Sequence, residues 1–356
     1  MSERKVYRAI GLMSGTSLDG VIDVALIETD GHDYVHPIKY YEHPYDVEIR
    51  NKVRKCFGKT ARDGEVDEAE KLVTDIHIAA VKAMGESADV IGFHGQTITH
   101  NPQNQFTWQI GDGERFAREI GIDVIGDMRQ NDIKNGGQGA PLLPIYHRAM
   151  MVDAQKPVMI LNLGGVANIT YIGAEGELIA FDCGPANALM DDFIKTRRDL
   201  DFDEGGIIAA QGTVQSNIID RFVKDDYFKV VPPKSLDRNH WNLDCVRYAS
   251  TEDGMATLME MTIEGVARAL DHFPKAPNAV YVAGGGRKNT YMLGCLRQQL
   301  DAEVLPIDAI DWNGDATEAE GFAYLAVRSM LGEALTLPST TGVPNLLTGG
   351  VLYKAV

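Results

Sequence analysis

Short apolar runs separated by polar turns set the rhythm of the first half of the chain. Residues 6–10 and 21–27 are strand-like, and the glycine- and hydroxyl-rich segment Gly11 to Gly20 between them reads as the tip of a β-hairpin. A third strand is predicted around residues 34–41, followed by helical stretches near 46–57 and 68–84. Residues 89–94 form an apolar run that ends in the polar loop Gly95-Gln96-Thr97. Another run, 122–125, stops at Gly126-Asp127-Met128-Arg129. Residues 135–144 are loop by composition, and the domain boundary is placed there, giving lobes over 1–140 and 141–356.

The second half begins on the same plan. Residues 158–161 are apolar, Asn162-Leu-Gly164-Gly165 is a glycine turn, and 166–171 is a second run. This echo of the opening hairpin suggests duplication. Residues 178–181 read as a strand running into Asp182, with a helix from Pro185, because proline suits a first helical turn. Apolar positions 255, 258, 259, 263, 266, 269, 270 and 273 fall on one helical face. The strand-like run 279–283 then meets Gly284-Gly285-Gly286. Strands alternating with helices indicate an α/β protein.

Composition narrows the partners. The 356 residues allow two domains, and 44 % hydrophobic content allows a sizeable core. Lys and Arg number 34 against 51 Asp and Glu, a formal charge of −17 that repels nucleic acid and anionic membranes. An anionic ligand then needs local amides, a metal ion or a few placed arginines. The 4 cysteines lack metal-ligand spacing and read as free thiols of a reducing cytosol. Neither a signal-peptide core nor a membrane-length apolar run is seen, so the expectation is a soluble cytoplasmic protein.

Glycine turns after strands, at 15–20, 164–165 and 284–286, are the recurring candidate for chemistry. Bare backbone amides there suit an anion, and the same residues also suit plain turns. None has the spacing of a P-loop or of a dinucleotide fingerprint. Asp182, between a strand and a glycine-proline helix start, is placed either to accept a proton from a nucleophile or to close an Asx turn. His94, Gln96, Asp127, Arg129 and Asp132 gather at the ends of two predicted strands, and Arg129 suits bidentate pairing with a substrate carboxylate. Glu318 opens a helix, where the dipole favours a carboxylate with or without a function. The 9 histidines show no clustered ligand spacing, so no protein-held metal is expected.

These motifs together resemble the anhydro-N-acetylmuramic acid kinase family. The matching segments are Met13-Ser-Gly-Thr-Ser-Leu-Asp-Gly20, Phe93-His-Gly-Gln-Thr97 with His100, and Gly126-Asp-Met-Arg129 with Asp132. Next come Gly136-Gly-Gln-Gly-Ala-Pro141, Asn162-Leu-Gly-Gly-Val-Ala-Asn-Ile169 and Phe181-Asp-Cys-Gly-Pro-Ala-Asn187. Gly284-Gly-Gly286 and Glu318-Ala-Glu-Gly-Phe-Ala-Tyr-Leu325 complete the series, in family order. The resemblance implies two duplicated actin-like ATPase (ribonuclease H-like) lobes around a central cleft. It implies ATP with Mg²⁺ as cofactors and a homodimer. The implied reaction phosphorylates O6 of 1,6-anhydro-N-acetylmuramic acid while water opens the anhydro ring, in peptidoglycan recycling.

Residue by residue, the resemblance makes Asp182 the base and sets Glu318 near the reacting groups. Gly15, Thr16, Ser17, Leu18, Asp19 and Gly20 would hold phosphate and Mg²⁺, with Asn162, Gly164 and Gly165 as the second phosphate turn. Gly284, Gly285 and Gly286 would serve the adenosine. His94, Gln96, Thr97, Asp127, Arg129 and Asp132 would face the sugar, with Arg129 at the lactyl carboxylate. One departure stands out: Val21-Ile22 separates Gly20 from Asp23 where a single residue is expected, so either the register of the second strand slips or a bulge absorbs the extra residue. Two rival readings are a kinase for a plain anhydro sugar such as levoglucosan, and an ATP-dependent switch without catalysis.

Overall fold

The computed structural model of the chain describes residues 4–15 and 18–355. Thr16 and Ser17 lie outside the described residues. The first stretch runs β1 (Tyr7–Met13), β2 (Val21–Thr29), β3 (Val35–Pro44), α1 (Val47–Arg54), α2 (Gly64–Met84) and β4 (Val90–Phe93). It continues with β5 (Gln96–Asn101), β6 (Phe106–Ile110), α3 (Gly113–Ile120), β7 (Val124–Gly126), α4 (Gln130–Lys134) and α5 (Pro144–Met150). A second stretch holds β8 (Val158–Leu163), β9 (Val166–Ile172), β10 (Leu178–Pro185), α6 (Asn187–Arg198) and α7 (Ser216–Phe222). It ends with α8 (Thr251–Ala269), β11 (Ala279–Ala283), α9 (Thr290–Gln299) and β12 (Glu303–Pro306). The chain closes with α10 (Thr317–Leu331), α11 (Pro338–Thr341) and β13 (Val351–Tyr353).

Two compact units result, one of residues 1–152 with 316–356 and one of residues 153–315. The first unit's sheet has the order β13-β7-β4-β1-β2-β3, and the second's β10-β9-β8-β11-β12. In both, a hairpin supplies the first two strands, a third strand pairs antiparallel to the second, and two later strands add parallel beside the first; in the first unit β13 then pairs antiparallel to β7. Both units thus carry the strand order of the ribonuclease H-like plan. The echo between the two hairpins reflects a shared topology.

The division differs from the expected lobes of 1–140 and 141–356, because residues 141–152 and 316–356 belong to the first unit. The reason lies in two glycines. α10 lies so close to the sheet that a Cβ on Gly11 or Gly92 would run into the backbone of Ala319, Phe322 and Ala323. That backbone-to-backbone approach makes α10 the cover of one sheet face. The other face carries the core, where Ile10, Leu12, Ile22 and Val24 pack against Ile78 and Val81 of α2. In the second unit Leu161, Leu163 and Ile169 pack with Phe193 of α6, Val266 of α8 and Met292 of α9.

Local signals set the helix ends. The Asp63 carboxylate accepts from Val66 N at 2.9 Å to cap α2, and Gly85 at φ 70° ends it. Ser250 Oγ caps α8 by accepting from Asp253 N at 3.0 Å. Two segments depart from the sequence reading. Gly95-Gln96-Thr97, expected as loop, opens the β5–β6 hairpin instead. Asp182, expected just after its strand, lies within β10. At the Asp23 departure the β1–β2 ladder is unbroken from Tyr7↔Thr29 to Met13↔Asp23, so no slip occurs there. The nearest irregularity is between β2 and β3 at Leu26/Ile27, where Ile38 of β3 is the unpaired residue.

Candidate functional site

In the first unit, the hairpin tip is anchored by side chains that turn inward. Leu18 adopts a left-handed φ of 51° and buries its side chain with Val53, Val66 and Ile98. Its carbonyl accepts from Arg50 Nη1 at 3.3 Å. Gly20, at φ +101°, needs glycine, and its carbonyl accepts from Tyr45 N at 2.8 Å. Asp19 is exposed and closes an Asx turn, accepting from Val21 N at 3.2 Å through one carboxylate oxygen. The Gln96 amide, expected at the sugar, is instead 1 % exposed. It accepts from Ser14 Oγ and donates to Gly15 O at 3.4 Å, so it braces the tip.

The sugar-side residues form a second layer of the same unit. His94 is buried, with Nδ1 2.8 Å from Gly95 O and Nε2 facing Arg129 Nη2 at 3.0 Å. Burial, then the adjacent guanidinium, hold its pKa well below the ordinary value. The imidazole is therefore neutral, donating from Nδ1 and accepting the arginine at Nε2. Arg129 Nη1 also donates to Gly139 O at 2.8 Å. Among the described residues no carboxylate lies at ion-pair distance from this guanidinium, and burial draws its pKa down to about 10. Arg129 stays cationic and keeps N–H groups for an anionic guest.

Asp132 and Asp127 are spoken for by the protein. Asp132 is 2 % exposed, and its two oxygens accept from Gly139 N and Thr341 Oγ1, each at 2.6 Å, which fixes the glycine-rich loop under Arg129. Asp127, at φ 52°, accepts from the Tyr353 hydroxyl at 2.5 Å and ties down β13. Thr97 Oγ1 accepts from Gln109 Nε2 at 3.1 Å. Glu318, in the first turn of α10, is open to solvent yet surrounded by protein. Desolvation raises its pKa, the Arg129 charge opposes this, and Asp19 adds to the rise. Glu320, two residues on, is buried and accepts from the Tyr146 hydroxyl at 2.6 Å.

In the second unit, the β8–β9 turn is the two residues Gly164-Gly165. Neither has a positive φ, and a Cβ on either would find no atom closer than 3.5 Å. The fold does not require glycine here, which leaves close approach by a ligand as the physical use of the bare backbone. The carbonyls of the turn accept from Asn187 N at 2.9 Å and Ala186 N at 3.3 Å, at the start of α6. Gly284 and Gly286 are different. Gly284 has φ +72° and sits against Leu163 O and the Asn162 side chain, and Gly286 packs on Leu163.

Asp182 lies at a bulge of β10, between the pairs Asp182↔Asn168 and Gly184↔Ala167. Bulges re-aim side chains. One oxygen, Oδ2, accepts from Leu236 N at 2.7 Å, and Oδ1 has no partner among the described residues. Burial raises the carboxyl pKa to about 7, with the Leu236 amide opposing. The side chain retains some contact with solvent. An acid–base group poised near neutrality with a free oxygen can take a proton from water.

Sequence reasoning missed Arg287, although it directly follows the glycine triplet. Arg287 is 6 % exposed and donates to Asp308 at 2.8 Å, Asp315 at 2.9 Å and Gly284 O at 3.1 Å, locking the turn. It also passed over Asn187, the last residue of the segment Phe181–Asn187, whose side chain donates to Leu163 O at 2.8 Å. Tyr227, Lys234 and Leu236 around Asp182 had no local signal, because they reach it from a distant loop.

The family model for anhydro-N-acetylmuramic acid kinase matches residues 7–355. A protein of that name from Rhizorhabdus wittichii is 49 % identical over 97 % of this chain and 98 % of its own length. One from Zymomonas mobilis is 49 % identical over 97 % and 99 %. Among solved structures, the activator of the 2-hydroxyisocaproyl-CoA dehydratase from Clostridium difficile with bound ADPNP aligns over 90 % of this chain and 94 % of that one. Its TM-score is 0.45 and its identity 13 %. With the family model spanning nearly its whole length and relatives at 49 % identity, the chain belongs to the anhydro-N-acetylmuramic acid kinase family.

Proposed function

We propose that this protein is an ATP-dependent kinase that phosphorylates O6 of 1,6-anhydro-N-acetylmuramic acid with hydrolytic opening of the anhydro ring. The products would be N-acetylmuramic acid 6-phosphate and ADP, in peptidoglycan recycling. The observation that carries this reading is Asp182, a carboxyl poised near pH 7 with one oxygen unengaged, in a chain that belongs to this family. In the reaction, water adds to the anomeric carbon as its proton passes to Asp182. The C1–O6 bond breaks, and O6 takes the γ-phosphoryl group as ADP leaves.

Gly15 to Gly20, Asn162, Gly164 and Gly165 are assigned to the phosphates, and Gly284 to Gly286 to the adenosine. Phosphoryl transfer relies on such positioning. Arg129 is assigned to the lactyl carboxylate, which its cation without a carboxylate partner supports. His94, Gln96 and Asp132 then act by holding Arg129, the tip and the glycine loop, and Asp127 by holding β13. Mg²⁺ is bound by most kinases through phosphates and one or two carboxylates. The exposed Asp19 at the tip fits that need, and no cluster of three or more ligating side chains occurs among the described residues. The reading includes a cytoplasmic location, supported by four free thiols, and a homodimer, supported by the family resemblance alone.

The test is ADP release with Mg²⁺-ATP and 1,6-anhydro-N-acetylmuramic acid, with levoglucosan in parallel. Release that depends on the muramic sugar and yields a 6-phosphate supports the proposal. A preference for levoglucosan transfers the assignment to that sugar, and ATP binding without sugar-stimulated turnover refutes catalysis. Asp182→Asn is expected to abolish turnover, and wild-type kcat is expected to climb as pH rises through about 7 and Asp182 ionises.

A further inference from the structure

We propose that Tyr227 and Lys234 are positioning residues for Asp182: the strap of residues 225–236 latches onto the outer edge of β10 and fixes the direction of the carboxylate. The proposal rests on the reading of Asp182 as the base. β10 ends its sheet, so its outer backbone edge is free of strand partners. The strap takes that edge at three points. Asp182 N donates to Lys234 O at 3.1 Å, the Tyr227 hydroxyl donates to Asp182 O at 2.5 Å, and Leu236 N donates to Asp182 Oδ2 at 2.7 Å. Backbone amide, backbone carbonyl and side chain of one residue are thus all held by one distant segment.

The position needs this support. The bulge that aims Asp182 leaves Cys183 without a partner on β9, so the β9 ladder by itself is weakest next to the base. Within the strap, Lys234 is 8 % exposed, and its ammonium donates to Tyr227 O at 3.0 Å. The same ammonium lies 4.5 Å from the Tyr227 ring centre and 5.5 Å from that of Phe181. No carboxylate among the described residues pairs with it. Burying an ammonium without an anion costs stability, and what the position secures is closure of the strap over Phe181 and Asp182. At the other end Asp225 accepts from Tyr227 N at 2.9 Å and from Trp241 Nε1 at 3.1 Å, which anchors the strap to an aromatic cluster.

Tyr227→Phe removes one oxygen and keeps the ring, and Lys234→Met keeps the volume, so a melting curve should show both folded. In each, kcat is expected to fall about ten-fold, the scale on which small misplacements of a reacting group act. KM for sugar and for ATP should stay within about two-fold, since neither residue is assigned to either substrate. Losing the Leu236 amide disfavours the ionised carboxyl, so the acidic limb of the kcat–pH profile should move to higher pH. The groups facing Asp182 that also titrate are Cys183, Tyr227 and Lys234, with His272 against Phe181. A ¹³C-carboxyl titration of Asp182 in wild type and both variants therefore reads the site directly. Wild-type kcat with an unmoved titration, or a change confined to the melting temperature, would overturn the proposal. Activity retained by Asp182→Asn would instead remove the base assignment, and the carboxyl titration would still decide whether the strap holds the side chain.

Discussion

Asp23 sits on β2 directly opposite Glu42 on β3, and the Tyr40 hydroxyl lies 2.7 Å from Asp23 Oδ1 and 2.9 Å from Glu42 Oε1. A single phenolic proton cannot serve two carboxylates. The arrangement closes when Asp23 is protonated and donates to the Tyr40 oxygen while Tyr40 donates to Glu42. Burial raises the Asp23 pKa from 3.8 to about 7, the Tyr40 bond opposing and Asp19, Glu318 and Glu42 adding. Asp23→Asn reproduces the protonated form, because its amide can donate where the acid proton did. A native pKa above the unfolded one means that the folded state holds the proton more tightly. Stability is then lost as pH rises from about 4 through about 7.

At about 1.4 kcal/mol per pKa unit, the whole shift would amount to about 4 kcal/mol. Because part of the side chain is open to water, roughly half of that is expected. Urea unfolding of the metal-free protein at pH 5 and pH 8 is the assay. The variant should gain about 1–2 kcal/mol on wild type between the two pH values. Asp182, Asp191 and Glu320, also raised to about 7, contribute equally to both proteins and cancel in the comparison. A stability gap that stays constant from pH 5 to pH 8 would refute a protonated Asp23.

Other expectations are simpler to check. His94→Ala frees the Arg129 guanidinium from its acceptor and should raise the sugar KM about ten-fold while leaving the ATP KM unchanged in steady-state kinetics. Arg287→Met removes the buried guanidinium that joins Asp308, Asp315 and Gly284 O, leaves Asp308 without its ion pair, and should weaken ATP about ten-fold by calorimetry, with the sugar KM unchanged. Gly92→Ala drives a methyl into the backbone of α10 and should cost about 3 kcal/mol or more, seen as a lower melting temperature.

Much of the fold was legible because each signal was local. The two hairpins, the α8 periodicity and the strand before Gly284 follow from side-chain spacing within about twenty residues. The glycine turns were legible as turns for the same reason, and the ordered motifs made the family readable. Other features escaped because they depend on contacts far apart in sequence. Residues 141–356 read as one lobe, since nothing in a run of residues says that α10 rests on Gly11 and Gly92. Gln96, Asp127 and Asp132 carry the right chemistry for a sugar, and only packing turns them toward Ser14, Tyr353 and Thr341.

The sequence by itself determined the alternation of strands and helices, the net charge of −17, the glycines at the turns and the identity of Asp182 as a candidate base. The tertiary structure decided which unit residues 316–356 join, which polar side chains face inward, and what surrounds Asp182. The physical reason is the same in each case. Backbone conformation and hydrophobic face are set by neighbours along the chain, whereas pKa, side-chain direction and hydrogen-bond partners are set by groups that only folding brings together.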